Sequence, residues 1–204
     1  MPDFADAAHE LRRAKAALRD RLLAQRRLVP PPARHAAAAA VHVSLLSLMG
    51  RVRPSTVAAY VPVGAEPGGP DLPAVLAAAA RLLLPVLRPD GDLDWARYDG
   101  TLVAGPRGLL HPPGSRLGVD AVRDAALVVV PALAVDRSGM RLGRGGGSYD
   151  RVLARLPAGV LTVALLNDGE LLDAVPAEAH DRPVGTAITP SGGLALSPGA
   201  EWTE

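Results

Sequence analysis

A glycine-rich stretch with two arginines is the part of this chain whose residue types point most clearly to chemistry. It reads Arg-Leu-Gly-Arg-Gly-Gly-Gly-Ser-Tyr-Asp from Arg141 to Asp150, between an apolar run and a helical pattern. Consecutive glycines leave backbone N–H groups free to converge on an anion, and a following helix adds its positive N-terminal end. The guanidinium groups of Arg141 and Arg144 can bind phosphate oxygens bidentately. The predicted polyphosphate-binding loop comprises these arginines and the backbone of Gly143, Gly145, Gly146, Gly147 and Ser148.

The same stretch is also compatible with a flexible surface loop or an RGG-like segment. It lacks the Gly-Lys-Ser/Thr ending of a Walker loop, and Ser148 stands where a dinucleotide fingerprint has its last glycine. A position between a strand and a helix, with Tyr149 and Asp150 after the glycines, favours function. Asp150 offers either an oxygen ligand for a magnesium ion that bridges phosphates or a negative charge for the helix N-terminus.

Three further polar motifs are ambiguous when each is taken alone. Lys15, the only lysine among 22 basic residues, precedes Arg19 by four positions, so one helix face would carry both cations. Glu66 follows a predicted strand, where it is either a substrate-binding carboxylate or an ordinary surface glutamate. Asp181 is either a second magnesium ligand or a turn former. The neighbouring His180 is not expected to bind zinc, because no second histidine or cysteine has a matching spacing.

The elements that position these residues follow from the hydrophobic pattern. Apolar residues three or four apart predict helices, and short apolar runs bounded by glycine or proline predict strands. The predicted helices cover residues 3–28, 33–49, 71–80 and 149–156. The predicted strands cover residues 56–61, 82–84, 127–130, 160–165 and 187–189, the last as an edge strand.

Several boundaries in this prediction depend on single residues. Gly50 is expected to stop the second helix, and Pro85 is expected to close the strand that precedes it. Residues 131–148 are expected to form one long loop, and Leu171 to begin a short helical or turn segment. Residues 89–118 are rich in glycine, proline and aspartate, which predicts irregular structure with one or two hairpin strands.

Strands that alternate with helices predict an α/β fold, a layered domain with a mostly parallel open sheet flanked by helices in a Rossmann-like arrangement. We expect one domain over residues 1–190 and a flexible C-terminal tail over 191–204. In such sheets, ligands bind beyond the carboxyl ends of the strands. The loops 62–70 and 131–148 each follow a predicted strand, so both are expected to face the ligand.

Composition and charge argue against several classes of function. The 22 basic and 21 acidic residues leave a net charge of +1, which disfavours a general nucleic-acid or acidic-membrane binder. The absence of cysteine excludes a disulfide framework, a thiol nucleophile and a thiolate metal site. The apolar run 125–135 is about half the length that a membrane-spanning helix needs, and Pro131 interrupts it. We therefore expect a soluble cytoplasmic protein without an export signal. We also expect a monomer rather than an oligomer.

Taken together, the motifs resemble those of the 5-formyltetrahydrofolate cyclo-ligases, also called methenyltetrahydrofolate synthetases. Their order and spacing match over nearly the whole chain, and residues 88–118 match poorly. The segments that carry the resemblance are 15–19, 60–66, 130–136, 139–150 and 175–181.

The resemblance implies ATP- and Mg²⁺-dependent conversion of 5-formyltetrahydrofolate to 5,10-methenyltetrahydrofolate, with release of ADP and phosphate. It implies that Lys15, Arg19, Arg141, Arg144 and the backbone of 143–148 bind ATP. It further implies that Asp150 and Asp181 bind the metal, and that Val61, Glu66 and Tyr149 bind the folate. Arg144, Glu66 and Tyr149 would be the catalytic residues.

This chain departs from the family pattern at three positions. Ser148 replaces the first of two tyrosines, Gly185 replaces an aspartate, and Arg107 stands where an aromatic side chain often closes the folate pocket. These departures affect substrate affinity more than the type of reaction, because no phosphate-binding or metal-binding group is lost. Two other functions stay open at this stage: a non-catalytic nucleotide- or phosphosugar-binding module of the same fold, and an RNA-associated protein.

Overall fold

A computed structural model of the chain describes residues 4–178 and 180–196. Its helices are α1 (Phe4–Leu28), α2 (Pro31–Val52), α3 (Leu72–Ala77) and α4 (Ser148–Arg155). Its strands are β1 (Thr56–Ala58), β2 (Arg81–Leu87), β3 (Leu93–Arg97), β4 (Val103–Ala104), β5 (Leu110–His111), β6 (Leu127–Pro131), β7 (Ala134–Asp136), β8 (Arg141–Leu142), β9 (Leu161–Leu165), β10 (Leu171–Leu172), β11 (Thr186–Thr189) and β12 (Gly192–Ala195). Two short 3₁₀ helices cover Pro106–Gly108 and Val119–Asp124.

Seven strands form the central sheet in the order β12-β11-β9-β6-β1-β2-β3. The four inner pairings are parallel, and the two outermost pairings, β11 with β12 and β2 with β3, are antiparallel. Strand β6 lies at the centre and is apolar on both faces, as a strand covered on both sides requires. The predicted α/β fold with a mostly parallel sheet is therefore confirmed.

Alternate residues of the central strands point to opposite layers. Leu127 and Val129 pack with α2 and α3 on one face, whereas Val128 and Val130 pack with α4 and the second 3₁₀ helix on the other. This alternation follows from the two-residue period of a strand. The first helix belongs to neither layer, because Leu22 packs on the hairpin formed by β7 and β8.

A buried ion pair joins α1 to the carboxyl end of the sheet. Arg26 Nε lies 2.6 Å from Glu170 Oε1, and Arg26 Nη2 donates to Glu170 Oε2 at 2.8 Å and to the carbonyl of Ala132 at 2.6 Å. The side chains of Arg26 and Glu170 are only 4% and 7% exposed. Asn167 donates to the same carboxylate from its backbone and its amide. The network positions the charged face of α1 over the loops that follow the strands.

Two of the predicted boundaries that depend on single residues were wrong. Helix α2 continues through Gly50 and ends at Val52, because Arg53 adopts a left-handed conformation with φ 50° and the following Pro54 has no N–H to continue the helix. Strand β2 continues through Pro85 to Leu87. Since β1 ends opposite Leu83, the chain at Pro85 pairs with β3 only, and a missing N–H is tolerated there.

The predicted loop 131–148 contains a hairpin of β7 and β8. Asp136 closes its turn by accepting hydrogen bonds from Ser138 and Met140, and its other oxygen accepts one from Val175. Burial opposes ionisation of Asp136, but these hydrogen bonds outweigh it and lower the pKa of the carboxyl. Gly139 is required in the turn, because its φ is +86° and a Cβ there would lie 2.3 Å from the carbonyl of Val184.

The C-terminal part of the sheet also differs from the prediction. Leu171 begins the short strand β10, which pairs with β7, rather than a helical turn. Strand β11 is not an edge strand, because β12 pairs outside it. Of the tail predicted to be flexible, residues 192–195 form β12, and 197–204 lie outside the described residues. Residues 89–118 are largely irregular, as predicted, with the strands β3, β4 and β5.

Among the described helices, α2 alone is long and apolar enough to cross a bilayer by length and composition. Val41, Leu45, Leu48 and Met49 pack one face of it into the core below the sheet. A core helix meets the same criterion, so α2 gives no indication of a membrane.

We expect Arg26→Met to lower the free energy of unfolding by about 3–5 kcal/mol, because it leaves the carboxylate of Glu170 buried without its counter-charge. Urea denaturation monitored by circular dichroism measures the change. Arg27→Met is the matched control, since Arg27 is the next residue on α1 and is exposed. Equal losses in the two variants would show that the buried pair does not hold α1 in place.

Candidate functional site

A cavity of about 390 Å³ opens where the central strands end. Its floor is formed by Pro131 at the end of β6 and by Pro85 and Leu87 of β2. The glycine loop before α4 forms one wall, and α1 covers the cavity from above. Cationic side chains outnumber carboxylates around it: the cations are Lys15, Arg19, Arg26, Arg107, Arg141 and Arg144, and the carboxylates are Glu66, Asp150, Glu178 and Asp181. Such a site favours an anionic ligand.

The glycine loop is held in a tight turn by Arg141 at its start and by Arg19 of α1. Gly145 and Gly147 have φ of +95° and +67°, which side chains rarely allow. Arg141 Nη2 lies 2.8 Å from Asp150 Oδ1, so the ion pair closes the loop across its base. Arg19 Nε donates to the carbonyl of Gly143 at 2.9 Å, which ties the loop to α1. The loop precedes α4, and Gly143, Gly145, Gly146 and Gly147 all line the cavity.

Lys15 joins two carboxylates from the far end of the chain. Its Nζ lies 2.6 Å from Asp181 Oδ2 and 2.8 Å from Glu178 Oε2. Burial alone would lower the pKa of Lys15, but the hydrogen bonds and charges of the two carboxylates outweigh it and raise the pKa. Burial opposes ionisation of Asp181 in turn, and the bond from Lys15 overcomes it and lowers the pKa of Asp181. The cluster is thus fully charged at neutral pH.

Glu66 and Arg144 form an ion pair across the mouth of the cavity. Arg144 Nε lies 2.8 Å from Glu66 Oε1, and the backbone of Val63 donates to Glu66 Oε2 at 2.8 Å. The Glu66 side chain is 9% exposed, whereas that of Arg144 is 52% exposed. The carboxylate is therefore fixed, and the guanidinium is free to turn toward a ligand while its partner stays in place.

Tyr149 places a phenol at the inner end of the same cavity. Its hydroxyl is buried, and no described residue hydrogen-bonds to it. Burial raises the pKa of Tyr149 well above its usual value, and the nearby charge of Glu66 raises it further. The group is a neutral phenol whose hydrogen bond is left for a ligand.

All but one of the side chains predicted for the site line this cavity. The exception is Val61, which follows β1 and packs against the core on the α2 face of the sheet. Ser148 lines the cavity but turns its hydroxyl to the carbonyl of Gly91, at 2.5 Å. Arg107 also lines the cavity, in a left-handed conformation with φ 58°.

Sequence reasoning missed Arg26 and Glu178, although the sequence contains a signal for the first. Lys15, Arg19, Leu22 and Arg26 are spaced by four, three and four residues, so they form one stripe along α1. Glu178 lies in the predicted polar segment 175–181. Nothing in the sequence pairs it with Lys15, since 163 residues separate them.

The carboxylates of the cavity offer the donors that a hard divalent cation needs. Asp150 and Asp181 both line it, and ligand atoms of Glu178, His180 and Asp181 lie within 4.8 Å of one another. Mg²⁺ prefers a few carboxylate oxygens completed by water and phosphate oxygens. The residues present fit that ion when polyphosphate is its companion.

The sequence also matches a known protein family and several of its members. Residues 12–190 match the 5-formyltetrahydrofolate cyclo-ligase family. The 5-formyltetrahydrofolate cyclo-ligase of Mycolicibacterium smegmatis is 46% identical over 191 residues, covering 89% of this chain and 96% of that protein. The 5-formyltetrahydrofolate cyclo-ligase of Escherichia coli K12 is 32% identical over 119 residues, covering 56% of this chain and 65% of that protein.

Solved structures show the same fold. The 5,10-methenyltetrahydrofolate synthetase of Aquifex aeolicus, solved by NMR, superposes with a TM-score of 0.79 at 27% identity, covering 93% of this chain and 96% of that one. A 5,10-methenyltetrahydrofolate synthetase from Mycoplasma pneumoniae gives a TM-score of 0.70 at 17% identity, covering 86% and 98%, and supports the fold alone. With the family match spanning most of the chain, this protein belongs to the 5-formyltetrahydrofolate cyclo-ligase family of enzymes.

Proposed function

We propose that the protein converts 5-formyltetrahydrofolate to 5,10-methenyltetrahydrofolate in a reaction that consumes ATP and requires Mg²⁺. The observation that carries this proposal is the Arg144–Glu66 ion pair, because it joins the phosphate-binding loop to a fixed carboxylate on the opposite wall of one cavity. A phosphate-binding module alone would not need that carboxylate. The names of the relatives supply the substrate.

The first chemical step activates a poor leaving group. The formyl oxygen of the substrate attacks the γ-phosphorus of ATP, the bond from that phosphorus to the bridging oxygen breaks, and ADP leaves with the electron pair. The negative charge of this transfer is spread over phosphoryl oxygens, so catalysis requires positioning and positive charge. Arg144, Arg141 and Lys15 supply that charge, and Arg19 with the backbone of 143–148 holds the rest of the polyphosphate.

The second step closes the ring. The N10 amine of the folate adds to the activated formyl carbon and loses its proton to solvent. The carbon–oxygen bond then breaks, and inorganic phosphate leaves with the former formyl oxygen. Glu66 accepts a hydrogen bond from the N10 amine and so holds it beside the formamide, and Tyr149, a neutral phenol, donates one in the same pocket. Holding both reacting groups in place supplies much of the acceleration of such a step.

Asp150 and Asp181 hold Mg²⁺ in this proposal. When bound, the ion neutralises phosphate oxygens and fixes their geometry. Val61 would support the folate pocket only indirectly, because it packs against the core on the α2 face of the sheet. We further propose a monomer that works in the cytoplasm and binds neither nucleic acid nor membrane, which the balanced charge supports.

The direct test is an assay with ATP, Mg²⁺ and 5-formyltetrahydrofolate, followed by the absorbance of methenyltetrahydrofolate. We expect product to form in equal amount to ADP. If ATP binds but neither product nor folate-dependent ADP forms, the protein is instead a non-catalytic nucleotide-binding member of the family.

Arg144→Ala tests the charge at the cavity mouth. We expect kcat/KM to fall by about 100- to 1,000-fold, the cost of removing one donor that stabilises transition-state charge. The melting temperature should fall only slightly, because the Arg144 side chain is half exposed and Glu66 keeps its hydrogen bond from the backbone of Val63. Arg137→Ala, which removes an exposed arginine from the turn of the β7–β8 hairpin, is the matched control. Loss of activity in both variants would contradict a specific role for Arg144.

Asp150→Asn tests the metal site. Removal of Mg²⁺ with EDTA should abolish turnover of the wild type, and re-addition should restore it. In the variant, we expect the Mg²⁺ concentration for half-maximal rate to rise at least about 10-fold. Asp173→Asn, at a fully exposed carboxylate, should leave it unchanged. An unaltered Mg²⁺ requirement in Asp150→Asn would assign the metal to other groups.

Lys15→Met tests the charged cluster through its pH dependence. The pKa of Asp181 is lowered below its ordinary 3.8, so its contribution to stability is present above that pH and is lost as the pH falls through the lowered value. The pKa of Lys15 is raised above 10.5, so its contribution persists until the pH rises through that higher value.

The wild type should therefore exceed Lys15→Met in free energy of unfolding by a constant amount between about pH 5 and 9. The difference should shrink once the pH falls below 3.8. Lys15→Arg should retain most of the wild-type free energy of unfolding. Urea titrations across this pH range measure it. A difference that disappears near pH 7 would contradict a fully charged cluster.

A further inference from the structure

A second cavity of about 230 Å³ lies between the N-terminal half of α2 and the loop that carries Glu66. The loop is firmly seated against the helix. His42 Nε2 donates to the carbonyl of Gly68 at 2.7 Å, and a Cβ on Gly69 would lie 3.2 Å from that of Ala38. The walls of this second cavity are therefore fixed by packing on both sides.

Two connections make the second cavity a neighbour of the first. Glu66 lines both, so the loop 64–70 is the partition between them. Asn167 lines the second cavity and donates to Glu170, which pairs with Arg26 in the wall of the first. Glu66 is thus the residue that a ligand in either space would meet.

The second cavity carries positive charge that the protein itself leaves unused. Arg34 and His35 lie on its helix wall. The side chain of Arg34 makes no hydrogen bond or ion pair with any residue in the described part of the chain, although it is half-buried. By contrast, Arg26, Arg141 and Arg144 are all paired with carboxylates. A half-buried guanidinium at a cavity wall is a ready partner for an anion.

The size of the first cavity makes a second space necessary. Pockets that enclose one drug-sized ligand have volumes of about 300 to 1,000 Å³. The proposed reaction brings together two molecules, ATP and a folate, each of which is at least the size of a drug-like ligand. The first cavity measures about 390 Å³. One end of the folate must therefore extend beyond the space where its pterin meets the phosphates.

We propose that the second cavity binds the glutamate end of the folate, with Arg34 taking its carboxylates. This inference rests on the proposed function. The formyl group reacts beside Glu66, and the far end of a folate is a glutamate with two carboxylates. A carboxylate matches the planar fork of a guanidinium, which accepts it bidentately. His35 adds a further donor, and Glu66, the acidic residue of this wall, is already neutralised by Arg144.

The test compares two substrates that differ only in the glutamate. One is 5-formyltetrahydrofolate, and the other is 5-formyltetrahydropteroate, which ends at the benzoate. In Arg34→Ala we expect the KM for the folate to rise about 10- to 100-fold, the usual loss with a charged hydrogen-bond partner. The KM for the pteroate, the KM for ATP and kcat should stay at wild-type values. Arg34→Lys should lose less, and Arg27→Ala, an exposed cation outside both cavities, should lose nothing.

Two results would overturn the proposal. One is an unchanged KM for the folate in Arg34→Ala, and the other is an equal rise for both substrates, which would indicate a general disturbance of the loop 64–70. Failure of the proposed function is a separate outcome, seen as absence of turnover by the wild type. In that event, the Kd of each compound is measured by calorimetry in place of its KM. The Kd values of the wild type and Arg34→Ala are then compared for the two compounds.

Discussion

The pairing of buried Lys15 and Arg26 and half-buried Arg19 with polar groups on neighbouring loops is the interaction on which the rest of the site depends. Lys15, Arg19 and Arg26 lie on one face of the helix, and each needs a polar partner once that face is covered. They find Asp181, the carbonyl of Gly143, and Glu170, on three different loops. Because a buried charge without a partner is costly, α1 has one stable position, and that position covers the cavity.

The charged side chains of the cavity form ion pairs with one another. In each pair, a cation proposed to bind phosphate contacts a carboxylate proposed to bind the metal or the folate. Lys15 holds Asp181, Arg141 holds Asp150, and Arg144 holds Glu66. Each pair fixes the geometry of both members. A polyphosphate and a divalent cation bound together, as proposed, would offer each member of these pairs a new partner of opposite sign.

Much of the fold was predictable, because it depends on local pattern. The helix α1, the central strand at 127–130 and the helix after the glycines follow from hydrophobic periodicity. The errors at Gly50, Pro85 and Leu171 have a common cause. Neighbours distant in sequence decide whether a glycine stays helical, whether a proline fits a strand, and whether a Leu-Leu pair becomes a strand. Pro85 fits because β1 ends two residues before it across the sheet.

For the site, the sequence alone determined the chemical character of the glycine loop, the identity of the single lysine and the spacing of the cations along α1, since these are properties of residue type and helical period. Only the tertiary structure decided that Glu178 shares Lys15 with Asp181, that Val61 packs behind the site, and that Arg34 lines a second cavity. Pairings across more than 160 residues leave no trace in local pattern. They arise because folding a parallel sheet brings the ends of its strands, and the loops that follow them, to one edge.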